Sequence, residues 1–178
     1  PRQLNIPGQH LPHVHPHWSD PHDYFNKQVL VVGGKNSAVE TALRFHNAGA
    51  KVSLSFRSHE LPAKSIKYWL LPEINTLIKS GRITAYPATQ LTQITPTQVT
   101  LSNGTQIQPD FIVPQIGYTA DMSLCKLANI KLEGPRQVPA YNPQTMETNI
   151  PGIYLCGTVI GGTQDKYEVF IENGRGHG

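Results

Sequence analysis

A pair of glycines set between an apolar run and an amphipathic segment constrains this chain more than any other feature. Gln28-Val29-Leu30-Val31-Val32 is apolar without interruption after its first residue, as in a strand covered on both faces of a parallel sheet. Gly33-Gly34 follows at once. Asn36 to Ala48 then places Ala38, Val39, Ala42, Leu43 and Phe45 at helical spacing, until Gly49 stops the helix. Lys51-Val52-Ser53-Leu54-Ser55-Phe56 reads as the next strand. Strand, glycine turn, helix and strand within about 30 residues form one βαβ unit, whose connection is expected to be right-handed.

Such a turn has a chemical consequence. A glycine directly after a buried strand lets the chain swing tightly into a helix, whose N-terminus offers unpaired N–H groups and a partial positive charge to a pyrophosphate. In Gly33-Gly34-Lys35-Asn36-Ser37-Ala38, Ala38 fills the last small position, where the helix packs closely on the strand. Lys35 stands where the usual fingerprint has its second glycine, so a Cβ must be accommodated there, and the ammonium can offset this by meeting a phosphate. A ligand-free strand–helix turn would use the same residues; the complete βαβ context favours the nucleotide reading. A site for NAD places Asp or Glu roughly 20 residues after the glycines, to bind the ribose 2′-OH. This chain has Arg57-Ser58-His59 there, with Lys64 and Lys67 not far on. That set attracts a 2′-phosphate and predicts NADPH over NADH, the alternative being an Arg57 that is simply solvated at a strand end.

The remaining chain extends the same architecture. Residues 1–27, rich in Pro and His, read as an irregular connecting segment. Residues 65–80 are helical in pattern, but Pro72 must interrupt them, giving two short helices with the second starting near Pro72 and ending at Gly81. Arg82 to Tyr86 is a third strand, and residues 89–108 alternate Thr, Gln, Val and Ile around an Asn103-Gly104 turn, an antiparallel meander. Asp110 to Val113 returns to buried-strand texture and runs into Gly117; residues 121–129 read as a helix, and Gly152 to Cys156 as a strand ending in Gly157-Thr158. The expected fold is α/β and Rossmann-like, a central parallel sheet with an antiparallel β-meander. Tyr68, Trp69 and their apolar neighbours are expected in a core or an interdomain contact.

Several function classes are excluded on composition. With 38% hydrophobic and 15% charged residues the chain suits a compact domain, and a net charge of +3 without basic blocks or interleaved aromatics argues against nucleic acid as a partner. No run approaches the roughly 18 apolar residues of a membrane helix. Cys125 and Cys156 are isolated in the sequence, which rules out a CxxC dithiol or zinc ribbon and favours a reducing cytoplasm. His13, His15 and His17 alternate, yet Pro12, Pro16 and Pro21 break the segment and no nearby Cys or acidic cluster completes a usual metal set, so no metal site is expected. A GxSxG elbow is absent, and with it a hydrolase reading.

Four strings together carry a family likeness: Gly33-Gly34-Lys35-Asn36-Ser37-Ala38, the Phe56-Arg57 strand end, Tyr154-Leu155-Cys156-Gly157-Thr158, and Phe170-Ile171-Glu172-Asn173-Gly174-Arg175. The chain resembles the YpdA-type bacillithiol disulfide reductases, in the thioredoxin-reductase-like branch of FAD/NAD(P)-binding flavoproteins. The resemblance implies an N-terminal FAD segment with its own glycine fingerprint, an inserted NADPH domain, and a return into the FAD domain. It implies hydride transfer from NADPH to FAD and then reduction of a low-molecular-weight disulfide or related electron acceptor. On this reading residues 1–27 are a connecting segment from a missing FAD domain, with Ile6-Pro7-Gly8 the crossover. Residues 28–118 are the NADPH-binding domain, and 119–178 a linker and truncated return into the FAD-binding domain. The chain is thus expected to be a piece of a longer polypeptide, partnered by the rest of that FAD domain and forming a homo-oligomer.

The cofactor-binding set is then Gly33, Gly34, Lys35, Asn36, Ser37, Ala38, Arg57, Ser58, His59, Gly117, Gly157, Thr158, Glu172 and Asn173. Gly157-Thr158 falls where related flavoproteins have a Gly-Asp pair on the flavin's ribityl-phosphate chain, so a hydroxyl replaces a carboxylate. Glu172, Asn173 and Arg175 fall where that domain approaches the flavin ring. The family's redox cysteine would lie in the missing part, so no catalytic residue carries over. Cys156 is either a redox-active neighbour of the flavin turn or a small apolar filler of a buried strand. A flavin-dependent monooxygenase and a non-catalytic NADP(H)-binding module are the competing functions.

Overall fold

A computed structural model of the chain describes residues 1–163 together with Gly174 and Gly176. Two compact units emerge, Pro1–Gly117 and Tyr118–Gly178. The first is built on a four-stranded parallel sheet. Strand β1 (Gln28–Val32) leads into helix α1 (Asn36–Asn47), which returns to β2 (Lys51–Ser55). Helix α2 (Leu71–Lys79) connects to β3 (Thr84–Tyr86); three short strands follow, β4 (Leu91–Ile94), β5 (Val99–Leu101) and β6 (Gln106–Ile107), and then β7 (Phe111–Pro114). The parallel order is β3-β2-β1-β7, so β1 has a neighbour on each side and the chain crosses from one sheet edge to the other before β7.

The uninterrupted apolar run of β1 has a direct cause. Val29 and Val31 face α1 and α2, where they meet Ala38, Val39, Phe45, Ile74 and Leu77. Leu30 and Val32 face the opposite layer, made by the antiparallel β4-β5-β6 sheet and the N-terminal segment, where they meet Leu91, Ile94, Val99 and Leu101. A strand covered on both faces needs apolar residues at every position, and each fully buried Val, Leu or Ile contributes about 1.5–3 kcal/mol. Pro72 lies in the first turn of α2, where its missing N–H costs nothing; the first of the two expected helices is not formed, residues 66–70 being a bend and a turn after a 3-10 turn at Ala63–Ser65.

Residues 1–27 belong to the first compact unit and are irregular apart from a 3-10 turn, Pro21–Tyr24. Val14 pairs in parallel with Ile112, with His15 N–H donating to the Ile112 carbonyl at 2.8 Å and Ile112 N–H to the His13 carbonyl at 2.9 Å. Tyr24 is buried against Phe45 and Phe111. His15 Nε2 donates to the Pro12 carbonyl at 3.1 Å, and Nδ1 shares a hydrogen bond of 2.7 Å with the Tyr24 hydroxyl.

In the second unit, helix α3 (Ser123–Leu127) and a β8 (Leu132–Glu133)–β9 (Val138–Pro139) hairpin surround a small core of Met122, Cys125 and Ile130. The strand expected over Gly152–Cys156 is not formed among the described residues. Tyr154 makes one isolated antiparallel bridge to Glu147, and a 3-10 turn, Gly157–Gly161, follows. Apolar texture supplies one face of a strand, but a strand also needs a continuous backbone partner. Here residues 146–148 pair with it only through Thr148 N–H to the Ile153 carbonyl and Leu155 N–H to the Met146 carbonyl. Cys156 is consequently exposed rather than a buried filler, whereas Cys125 is buried. Phe170 to Asn173 and Arg175 lie outside the described residues.

Candidate functional site

The glycine turn sits where β1 ends between two parallel neighbours. Gly33 N–H donates to the Ser55 carbonyl of β2 at 2.8 Å, and Gln115 N–H donates to the Val32 carbonyl at 2.7 Å, so the turn is held from both sides. Gly33 has φ +137°, and a Cβ there would press into the Gln115 carbonyl oxygen. A Cβ on Gly34 would come within 2.8 Å of the Phe56 Cβ. Both positions therefore require glycine, one for conformation and contact, the other for contact alone. Lys35 is extended at φ −106°, ψ −172°, a backbone any residue adopts, which explains how a lysine takes the place of the fingerprint's second glycine.

Helix α1 opens immediately after this turn with no side-chain cap and no acidic residue in its first turn. Its terminal N–H groups and the positive end of its dipole are thus uncompensated by protein carboxylates, the condition under which a helix start receives a phosphate. Ala38 is fully buried, while Lys35 and Ser37 are exposed. Asn36 turns its side chain elsewhere: Oδ1 accepts from the Lys67 backbone N–H at 3.1 Å.

Arg57, Ser58 and His59 follow β2 and are all exposed. Their backbone is strapped to the turn after β3, with Thr89 N–H donating to the Phe56 carbonyl at 3.1 Å and Ala88 N–H to the Ser58 carbonyl at 2.9 Å. Beneath them Ser55 Oγ and Thr89 Oγ1 share a buried hydrogen bond of 2.9 Å. Arg57 pairs with no carboxylate among the described residues, so its guanidinium fork is presented to solvent from a braced loop. Tyr68 and Trp69 are 80% and 56% exposed, which removes the core half of their expected place in a core or an interdomain contact: Ile66 and Leu70 supply the apolar anchors of that stretch and leave the two rings outside.

Gly117 closes the first unit, its carbonyl accepting from Arg2 N–H at 2.8 Å. In the second unit Gly157, at φ +75°, starts the 3-10 turn, and Thr158 is exposed beside it. Glu172 and Asn173 lie outside the described residues. Among the described residues no group of three or more His, Cys, Asp and Glu could hold a metal, and no helix is long and apolar enough to cross a membrane. An open groove lined by His46, Asn47, Glu73, Thr76 and Arg82 lies at the C-terminal end of α1, the end opposite the glycine turn. Sequence reasoning missed Gln115, whose carbonyl seals the Gly33 turn; its distance in sequence from Gly33 leaves no local signal.

A family described as pyridine nucleotide-disulphide oxidoreductase matches residues 1–157. The chain is 35% identical over 182 residues to the bacilliredoxin reductase Bdr of Bacillus subtilis (strain 168), a match covering 100% of this chain and 56% of that protein. The solved bacillithiol disulfide reductase Bdr (YpdA) of Bacillus cereus superposes with a TM-score of 0.87 at 34% identity, over 99% of this chain and 55% of that one. The corresponding Staphylococcus aureus structure gives 0.87 at 35%, with the same coverage of 99% and 55%. The chain thus spans about half the length of the relatives it matches.

Proposed function

Because the chain belongs to the pyridine nucleotide-disulphide oxidoreductase family, we propose that it is the nucleotide-binding part of an NADPH-dependent flavoprotein reductase whose acceptor is a low-molecular-weight disulfide of the bacillithiol type. The observation that carries this reading is the Gly33–Ala38 turn, a cradle that any Cβ at Gly33 would fill, opening an uncapped helix free of acidic residues in its first turn. The likeness to the two solved bacillithiol disulfide reductases over 99% of the chain supports the choice of acceptor. Gly33, Gly34, Lys35, Ser37 and Ala38 would receive the pyrophosphate, with Asn36 in the same turn. Arg57 and Ser58, with His59 beside them, would take the 2′-phosphate, and Gly117 would border the nucleotide where β7 runs out. Gly157 and Thr158, with Glu172 and Asn173, would hold FAD together with the remainder of the FAD domain.

When bound, the flavin supplies two-electron transfer between nicotinamide and disulfide: NADPH, one proton and the disulfide give NADP and two thiols. The residues of this chain bind and orient. The turn fixes the phosphates by backbone N–H groups, and the braced Arg57 loop selects the phosphorylated ribose. A cytoplasmic location fits two isolated cysteines and thiol products. A homo-oligomer is part of the same proposal.

Titration of the chain with NADPH and NADH tests it. NADPH binding at least tenfold tighter, about 1.4 kcal/mol, is expected, and Arg57→Ala should remove most of that preference. Equal binding of the two nucleotides would remove Arg57 as the selector, and binding of neither by a folded chain would defeat the nucleotide site.

A further inference from the structure

The stretch from Ile66 to Leu70, just before α2, carries charge and aromatic surface that the proposed roles leave unused. Ile66 is buried in the helix-side core and Leu70 packs against that core, so the backbone between them is anchored at both ends. At its middle the Lys67 N–H donates to Asn36 Oδ1. Asn36 is the first residue of α1, so the bond ties this stretch to the end of the helix where the unpaired N–H groups lie. The Lys67 side chain is exposed and pairs with no carboxylate among the described residues. Its ammonium rests 5.2 Å from the centroid of the Trp69 ring, which in turn meets Tyr68 edge to face at 5.0 Å. A lysine tied at its backbone and resting on an aromatic face has lost part of its freedom without gaining an anionic partner, which lowers the ordering cost of meeting one.

We infer that Asn36 is a positioning residue that sets Lys67 against the pyrophosphate of the dinucleotide, with Trp69 at its side; this rests on the nucleotide site proposed above. The tie is to the start of α1, where a pyrophosphate is received, whereas the Arg57 loop is braced separately by Ala88 and Thr89. An amide suits the position because it accepts the Lys67 N–H without adding negative charge beside a phosphate. A carboxylate would form the same bond and repel the ligand.

The test is calorimetric and fluorescence titration of the full chain with NADPH and with NADH. Lys67→Gln, an exposed change, weakens both nucleotides by the same factor, about fivefold, because both carry the pyrophosphate. Asn36→Ala weakens both comparably in the wild-type background and adds little once Lys67→Gln is present. Trp18 packs on Phe45 while Trp69 is exposed, so the change in tryptophan emission on binding disappears in Trp69→Phe. Unchanged affinities in Lys67→Gln would overturn the inference, as would a loss confined to NADPH, which assigns Lys67 to the 2′-phosphate. Full additivity of the two variants would show that Asn36 meets the nucleotide directly and would overturn its positioning role. Failure of the wild-type chain to bind either nucleotide would instead overturn the site itself and this role with it.

Discussion

Gly33 answers two demands in one residue. Its φ of +137° lies where L-residues are strained, and a Cβ would strike the Gln115 carbonyl. Strain of this kind costs roughly 1–3 kcal/mol, and the contact adds to it because the obstacle is backbone held by its own hydrogen bond to Val32. Gly33→Ala is therefore expected to lower stability by about 2 kcal/mol or more in urea unfolding. It should also abolish NADPH binding in titration, since the turn cannot reach the same shape. Full stability with full binding in that variant would sink the assignment. Lys35 makes the complementary point: with an extended backbone its position needs no glycine for conformation, so its Cβ bears only on how closely a phosphate approaches.

At the level of elements, the β2–β3 edge depends on a buried hydroxyl pair. Ser55 is fully buried and Thr89 is 2% exposed; their hydroxyls share a hydrogen bond, and Thr89 donates to the Tyr86 carbonyl at 2.6 Å. Thr89→Val keeps the shape and removes both bonds, so a loss of about 1–3 kcal/mol is expected from thermal or urea melts, together with a weaker preference for NADPH as the Arg57 loop loosens. Helix α3 depends on a different device. The Asp121 carboxylate accepts the Ser123 N–H at 2.9 Å, and this bond holds its pKa below the ordinary carboxylate value. A carboxyl whose folded pKa is depressed contributes stability above the unfolded value, about 3.9, and loses it as pH falls through the folded value. Carboxyl NMR titration should place the Asp121 midpoint below that of the unfolded peptide; a midpoint at or above it would remove the Asp121–Ser123 turn from the account of α3.

For the molecule as a whole, the division after Gly117 is the feature with consequences. The first unit contains both layers of core on the parallel sheet, and the segment from Pro1 supplies Val14, Tyr24 and Trp18 to them. Residues 1–117 made alone should thus unfold cooperatively and retain NADPH binding, whereas residues 28–117 should be markedly less stable, having lost the packing on Phe45 and Ile112. Circular dichroism melts of the two pieces check this, and equal stability would mean that the N-terminal segment is only an attachment.

Much of this was legible in the chain itself because it is local physics. An apolar run without alternation means a strand covered twice, a glycine pair between strand and helix means a tight turn, and Pro72 means a helix start. The βαβ unit, the second helix from Leu71 and the antiparallel meander all followed from such rules, and the family resemblance rested on strings of the same local kind. What only the tertiary structure decided depends on partners distant in sequence. Gln115 seals Gly33 because β7 pairs with β1 after some eighty intervening residues. Tyr68 and Trp69 stand outside because Ile66 and Leu70 take the core positions. Gly152–Cys156 fails to form a strand because no continuous ladder is offered to it among the described residues. Side-chain chemistry and periodicity are written in the sequence, but which backbone lies next to which is settled by packing, and that is where the reading of residues alone stopped.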